Sequence, residues 1–333
     1  MTANLAKAPE SHSLQSIRAL ITEDFEAVNR TIRRRLASDV VLINQVSEYI
    51  IASGGKRLRP TLVLLGARAC GYGGEQQISA AAIIEFIHTA TLLHDDVVDA
   101  SELRRGQNTA NHVFGNEASV LVGDFLYSRS FQMMVELEKL RIMDVLADAT
   151  NTIAEGEVLQ LLNCNDPDTD EERYLQVIRR KTAKLFEAGL QVAAILADQP
   201  PAVEASLARY GMHLGTAFQL MDDVLDYQAD TAVTGKDLGD DLAEGKPTLP
   251  LIHAMASGTE AQRTLIREAI ETGGRERLGK VLEAVESTGA ITYTAGLAQA
   301  EAEHAAHALS GLPDSEYKSA LLFLARFAAA RSS

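Results

Sequence analysis

The chain has 333 residues, with 31 Lys and Arg against 46 Asp and Glu, for a formal charge of −15. That balance excludes the basic footprint of a nucleic-acid binder and a polybasic membrane anchor, and a hydrophobic content of 46% excludes general disorder. Aromatics at 5%, no Trp, and abundant Ala and Leu favour helix over sheet. So acidic a protein should repel phosphates unless metal ions or local basic clusters intervene.

Residues 1–13 are polar and read as a flexible arm, and 14–333 as one domain. The opening MTANLAKAPESHS has no apolar signal core. No uncharged apolar run reaches the roughly 18 residues of a membrane span. Cys70 and Cys164 lack CxxC spacing, as expected of thiols in a reducing compartment. A cytoplasmic protein with no stable membrane insertion is expected.

Leu14, Ile17, Leu20, Ile21, Phe25, Val28 and Ile32 recur at helical spacing and predict one helix over 14–36. Ser38 is positioned to cap a second helix through Ile50, which Gly54-Gly55 stops. Pro60 is expected to open a third helix that ends at Gly71. Long helical patterns follow at about 76–100, 118–140, 142–163, 170–197 and 202–228, with shorter ones beyond 247. No segment alternates with period two for long, so the fold class is all-α, without a sheet. The charged stretch 229–246, ADTAVTGKDLGDDLAEGK, has almost no core pattern and reads as a functional loop.

Residues 88–99 (HTATLLHDDVVD) and 215–226 (GTAFQLMDDVLD) agree at seven of twelve positions, 127 residues apart. Each copy ends an apolar helix in Asp-Asp-x-x-Asp, where the helix dipole opposes carboxylates. Helical geometry puts Asp95 and Asp99 on one face, with Asp96 about 100° around, and treats Asp222, Asp226 and Asp223 alike. Facing carboxylates would take up protons unless cations neutralised them, and an oxygen-only donor set suits Mg²⁺ with substrate phosphate. Basic residues gather nearby in sequence: Lys56 and Arg59 in GGKRLRP before a helix start, Arg104 and Arg105 in LRRG, then Lys181-Thr182, Lys236 and Lys246.

With these motifs in this order, the sequence from about residue 15 resembles the trans-isoprenyl diphosphate synthases. The resemblance implies an isoprenoid-synthase fold, a large helical bundle around a central cavity, and a homodimer. It implies about three Mg²⁺ ions, with Mn²⁺ able to substitute, holding an allylic diphosphate. Asp95, Asp99 and Asp222 would be direct ligands, and Asp96, Asp223 and Asp226 would act directly or through water. Arg104, Lys181, Lys236 and Lys246 would contact the allylic diphosphate, farnesyl or geranylgeranyl. Isopentenyl diphosphate would sit against Lys56, Arg59, His88 and Arg105, with Arg331 as a C-terminal candidate. Thr182 and Gln219 would line the reacting allyl unit, and the 229–246 loop would act as a lid.

Ala90 and Thr91, one turn before Asp95, are small where short-chain relatives often carry an aromatic. An open tunnel there implies a long product, about C40 to C50, since each buried CH₂ contributes about 0.8 kcal/mol. Its floor is expected among Ile84, Ile87, Phe131 and Met134, and the product is expected to supply quinone side chains. Rival readings explain less. Glu85-Phe-Ile-His88 and Glu301-Ala-Glu-His304 both match the ExxH of di-iron bundles but leave the repeated DDxxD unexplained. A shorter-chain synthase would want a bulkier tunnel, a terpene cyclase an aromatic-rich pocket, and a non-catalytic partner subunit would typically lose an acidic motif.

Overall fold

The structure, a computed structural model, describes residues 13–52, 55, 57–104, 106–228 and 238–330. Lys56, Arg105, Lys236, Arg331 and most of the expected arm and lid lie outside them. Ser13, expected in the arm, instead caps the first helix: its side chain accepts from the Ser16 amide while Ser16 Oγ accepts from the Ser13 amide.

The single helix expected over 14–36 is two, α1 (Leu14–Leu20) and α2 (Thr22–Leu36). The break falls at Ile21 (φ −125°, ψ 22°), where the Thr22 hydroxyl donates back to the Arg18 and Ala19 carbonyls. Such back-bonding competes with the helix ladder and bends it. α3 (Val41–Ala52) follows Ser38, whose side chain accepts from the Val40 amide. α4 (Leu58–Ala69) starts two residues before Pro60, which stands in the first turn, where its missing N–H costs nothing.

α5 (Gln76–Val98) carries the first aspartate motif to its C-terminus. Two-residue strands, β1 (Leu103–Arg104) and β2 (Gln107–Asn108), then pair antiparallel around Gly106 at φ 73°. This hairpin corrects the expectation of no sheet and is too short for any period-two pattern to reveal. α6 (Ala110–Phe114), α7 (Asn116–Glu136) and α8 (Leu140–Asn163) lead to α9 (Glu171–Ile178) and α10 (Lys184–Leu196). Between these last two the chain stays helical but loosens into a π turn, Arg179–Ala183. α11 (Pro201–Gln228) carries the second motif. A short α12 (Asp240–Ala243) precedes α13 (Leu249–Ser257), α14 (Glu260–Thr272), α15 (Leu278–Ser287), α16 (Ala290–Ala308) and α17 (Glu316–Ala330).

α5 packs against α2, α4, α7 and α10, and α11 packs against α10, α16 and α17. Ile83, Ile84, Phe86 and Ile87 of α5 join Leu126 of α7, Phe186 and Leu190 of α10, and Tyr210 and Leu214 of α11 in the main core. A second apolar cluster joins Tyr227 to Leu251, Ile266 and Val281 beneath the C-terminal helices. Burial of this order is the dominant favourable term in folding. It leaves the two motif-bearing helix ends standing at one cavity.

Candidate active site

Asp95 of α5, Asp99 at its C-terminal cap, and Asp222, Asp223 and Asp226 of α11 line a single cavity of about 770 Å³. Asp96 does not line it. It is 1% exposed and accepts from Nε and Nη2 of Arg104 at 2.8 and 2.6 Å, while its backbone carbonyl accepts from Asn111. The third-of-a-turn offset that separates Asp96 from its neighbours thus turns it inward, where it fixes the arginine that lines the cavity.

The lysines are held by carboxylates. Lys246 Nζ lies 2.8 Å from Asp99 and also contacts Glu244. Lys181 Nζ lies 2.6 Å from Glu157 and 3.8 Å from Asp95. Burial disfavours the Lys246 ammonium, but Asp241, Asp99 and Glu244 together outweigh it and raise its pKa. Burial raises the Asp95 pKa against the pull of Lys181, with Asp99 adding repulsion. Glu157 is pushed up to about 7, first by burial, with Lys181 opposing and Asp95 reinforcing.

Asp223 is 2% exposed, and both its oxygens accept hydrogen bonds: the Tyr174 hydroxyl donates to Oδ2, and Gln219 donates to Oδ1 at 2.7 Å. Burial first, and then Asp241, push its pKa up to about 8. Gln219 Oε1 in turn accepts from the Thr182 hydroxyl at 3.2 Å. Asp226 accepts from the Asp241 amide at 3.3 Å.

Lys181 and Thr182 sit inside the π turn, a local geometry that often marks functional sites. Helix interiors disfavour glycine, yet two glycines wall this turn. A Cβ on Gly156 would fall 2.6 Å from the Lys181 amide nitrogen, and one on Gly215 would fall 2.6 Å from Ala183 Cα. α8 and α11 therefore approach the turn backbone to backbone.

On the other side of the cavity, Nη1 of Arg59 lies 3.1 Å from Nε2 of His88, and its guanidinium lies over the Phe186 ring at 4.3 Å. A neighbouring cavity shares Arg59, His88, Arg104 and Phe218 and is walled beyond them by Leu36, Ile50, Leu93 and Leu126. Arg57, left out of the sequence reading, also lines it. The residue holds a left-handed backbone (φ 44°, ψ 44°), and its buried Nη1 has no hydrogen-bond partner among the described residues. Its place inside GGKRLRP was the available signal. Glu157 and Tyr174 were also missed, and no local pattern marks Tyr174 as the partner of an aspartate 49 residues away.

Of the expected tunnel residues, Thr91 lines the large cavity. Ala90, Ile87 and Met134 are fully buried in the main core, and Ile84 is 1% exposed there. None of these four lines either cavity. Phe131 is 40% exposed on α7 and lines neither cavity. Helical spacing places these side chains on faces of α5 and α7 but cannot say which face is packed shut.

The helical bundle thus points two aspartate-rich helix ends, two lysines and two arginines into one cavity, and this donor set suits polyanions bridged by hard cations. A family model described as Polyprenyl synthetase matches residues 40–288. Octaprenyl diphosphate synthase of Escherichia coli (strain K12) is 55% identical over 320 residues, covering 96% of this chain and 99% of that protein. The all-trans-nonaprenyl-diphosphate synthase (geranyl-diphosphate specific) of Rhodobacter capsulatus is 48% identical over 315 residues, covering 94% and 97%. Among solved structures, a polyprenyl synthase from Caulobacter crescentus CB15, complexed with calcium and isoprenyl diphosphate, superposes with a TM-score of 0.93 at 42% identity, covering 98% of this chain and 100% of that one. The chain belongs to the polyprenyl synthetase family, and its close homologues are long-chain prenyltransferases. No described helix is long and apolar enough to cross a membrane.

Proposed function

We propose that the chain is a long-chain all-trans polyprenyl diphosphate synthase, extending an allylic diphosphate with isopentenyl diphosphate to about C40–C50, the tunnel beside Thr91 accepting the growing chain. One observation carries this: Asp95 and Asp99 of the first DDxxD and all three aspartates of the second line a single cavity that also contains Arg59, His88, Arg104, Lys181 and Lys246. Its carboxylate oxygens fit Mg²⁺, with Asp95, Asp99 and Asp222 as ligands. When bound, Mg²⁺ would neutralise the allylic diphosphate and ease its departure.

The chain's own groups supply the rest. Arg104, oriented by Asp96, presents its guanidinium to the diphosphate. Lys181 and Lys246 exchange their carboxylate partners for phosphate oxygens as the C–O bond ionises. The hydroxyl of Thr182 and the amide of Gln219 place dipoles beside the allylic cation, with Asp223 and Tyr174 positioning Gln219. Isopentenyl diphosphate sits against Arg59 and His88, with Arg57 beside them, and Lys56 and Arg105 complete the set in sequence. Its double bond attacks the cation, and the released diphosphate takes the final proton. Water must be excluded, since it would trap the cation.

A homodimer is proposed through α7 and α8. Val120, Leu121, Phe131 and Val135 on the first and Val158, Leu161 and Leu162 on the second form an exposed apolar surface of the kind that marks interaction sites. A polyprenyl product of this length fits a quinone side chain. The purified chain, given farnesyl diphosphate, isopentenyl diphosphate and Mg²⁺, should make the long product alone and stop when the metal is chelated. Absence of condensation by the chain alone would overturn the proposal.

A further inference from the structure

Glu301-x-x-His304 is left over by the reaction above. In the structure this motif, on α16, takes a third residue from α11 rather than from Glu85 or His88. His213 Nδ1 lies 2.6 Å from Glu301 Oε2, and the His213 and His304 rings lie 5.2 Å apart. One ligand atom from each of His213, Glu301 and His304 lies within 4.8 Å of the other two. The other Glu301 oxygen accepts from Arg179 at 3.2 Å, which fixes the orientation of the carboxylate. Glu301 is half-buried while His304 is exposed, so the set is built on a packed helix pair and open to solution.

We propose that His213, Glu301 and His304 form a binding site for Zn²⁺ or a similar divalent transition metal, separate from the aspartate cavity. Two imidazoles and one carboxylate are a Zn²⁺ donor set, whereas the cavity's carboxylates suit Mg²⁺. Residues i and i+3 on one helix present two ligands to one side, and a facing helix supplies the third. Three protein ligands leave one position for water or an incoming group. Arg179 acts on the site through Glu301, as outer partners of metal ligands commonly do. Because the ligands come from α11 and α16, a bound ion ties together the helix bearing Asp222 and its packing neighbour. The ion binds the folded chain in preference to the unfolded one and so stabilises the fold.

The test is a Co²⁺ titration of the full metal-stripped chain in excess Mg²⁺, which saturates the aspartates, followed by visible absorption and by Zn²⁺ competition. The expected result is one equivalent of Co²⁺ with intense four- or five-coordinate bands, displaced by Zn²⁺, and a Zn²⁺-dependent rise in Tm. His304→Ala changes an exposed residue and should keep the fold by circular dichroism. It should lose the bands and the Tm response and weaken Zn²⁺ binding at least about tenfold. Identical spectra and Zn²⁺ affinity in the wild-type chain and His304→Ala, or no Co²⁺ bands in the wild-type chain, would overturn the proposal. Neither readout depends on prenyl transfer.

Discussion

Lys246 and Asp99 are joined across the cavity at 2.8 Å, although 147 residues separate them. On the proposed reading, the ammonium occupies a carboxylate that a divalent cation would also use, so the two would compete for Asp99. Lys246→Met is expected to tighten divalent-cation binding in the absence of substrate, because a competing charge is gone. It should also raise the KM for the allylic diphosphate about tenfold or more, from loss of a charge-assisted contact. Calorimetric Mg²⁺ titration and steady-state kinetics measure the two effects. A variant that weakened both would mean the lysine organises the aspartates instead of competing with a cation.

Adjacent aspartates should separate into two kinds of loss. Asp95→Asn is expected to cut turnover about a hundred- to a thousand-fold while leaving the fold intact. Asp96→Asn removes the buried charge that holds Arg104, and should destabilise the chain by about 1–3 kcal/mol in urea unfolding as well as slow the reaction. Equal stability of the two variants would contradict the inward role of Asp96.

Product length should respond at Thr91, which is open to the cavity. Thr91→Tyr is expected to shorten the main product by one or more isoprene units, read by mass spectrometry. Ala90 is fully buried, so Ala90→Phe should chiefly destabilise, by about 1–3 kcal/mol from overpacking. An unchanged product distribution in Thr91→Tyr would place the tunnel elsewhere.

Glu157 makes the metal-free chain pH-sensitive. Burial, opposed by Lys181 and reinforced by Asp95 and Asp99, pushes its folded pKa up to about 7 from the ordinary carboxylate value of 4.5. Between those values the folded state binds more proton than the unfolded state, so this group's contribution to stability falls as pH rises through that window. Glu157→Gln, which stays neutral, removes this negative contribution and is expected to shift the slope of unfolding free energy against pH in the positive direction, measured in a chelating buffer. A slope identical to wild type would show that Glu157 is already ionised throughout.

The helical fold was legible because 3.6-residue spacing and helix caps are local, and the spacing within each DDxxD already separated Asp96 from Asp95 and Asp99. The break at Ile21 was not legible, because Thr22 bonding back to Arg18 is one option among several for a threonine. The π turn was not legible either. One extra residue in a helical turn changes the phase of all that follows without breaking the apolar pattern, and only the close approach of Gly156 and Gly215 shows why it is held.

By itself, then, the sequence determined the helices, the two aspartate motifs and the charged side chains available to them, since each depends on residues a few positions apart. The tertiary structure alone decided the pairings: Asp96 with Arg104, Asp99 with Lys246, Asp223 with Tyr174, and Glu301 with His213 rather than with the second ExxH. It also closed the core around Ala90, Ile87 and Met134 while leaving Thr91 open. Periodicity assigns a side chain to a face of its helix, but what that face meets is set by how distant helices pack.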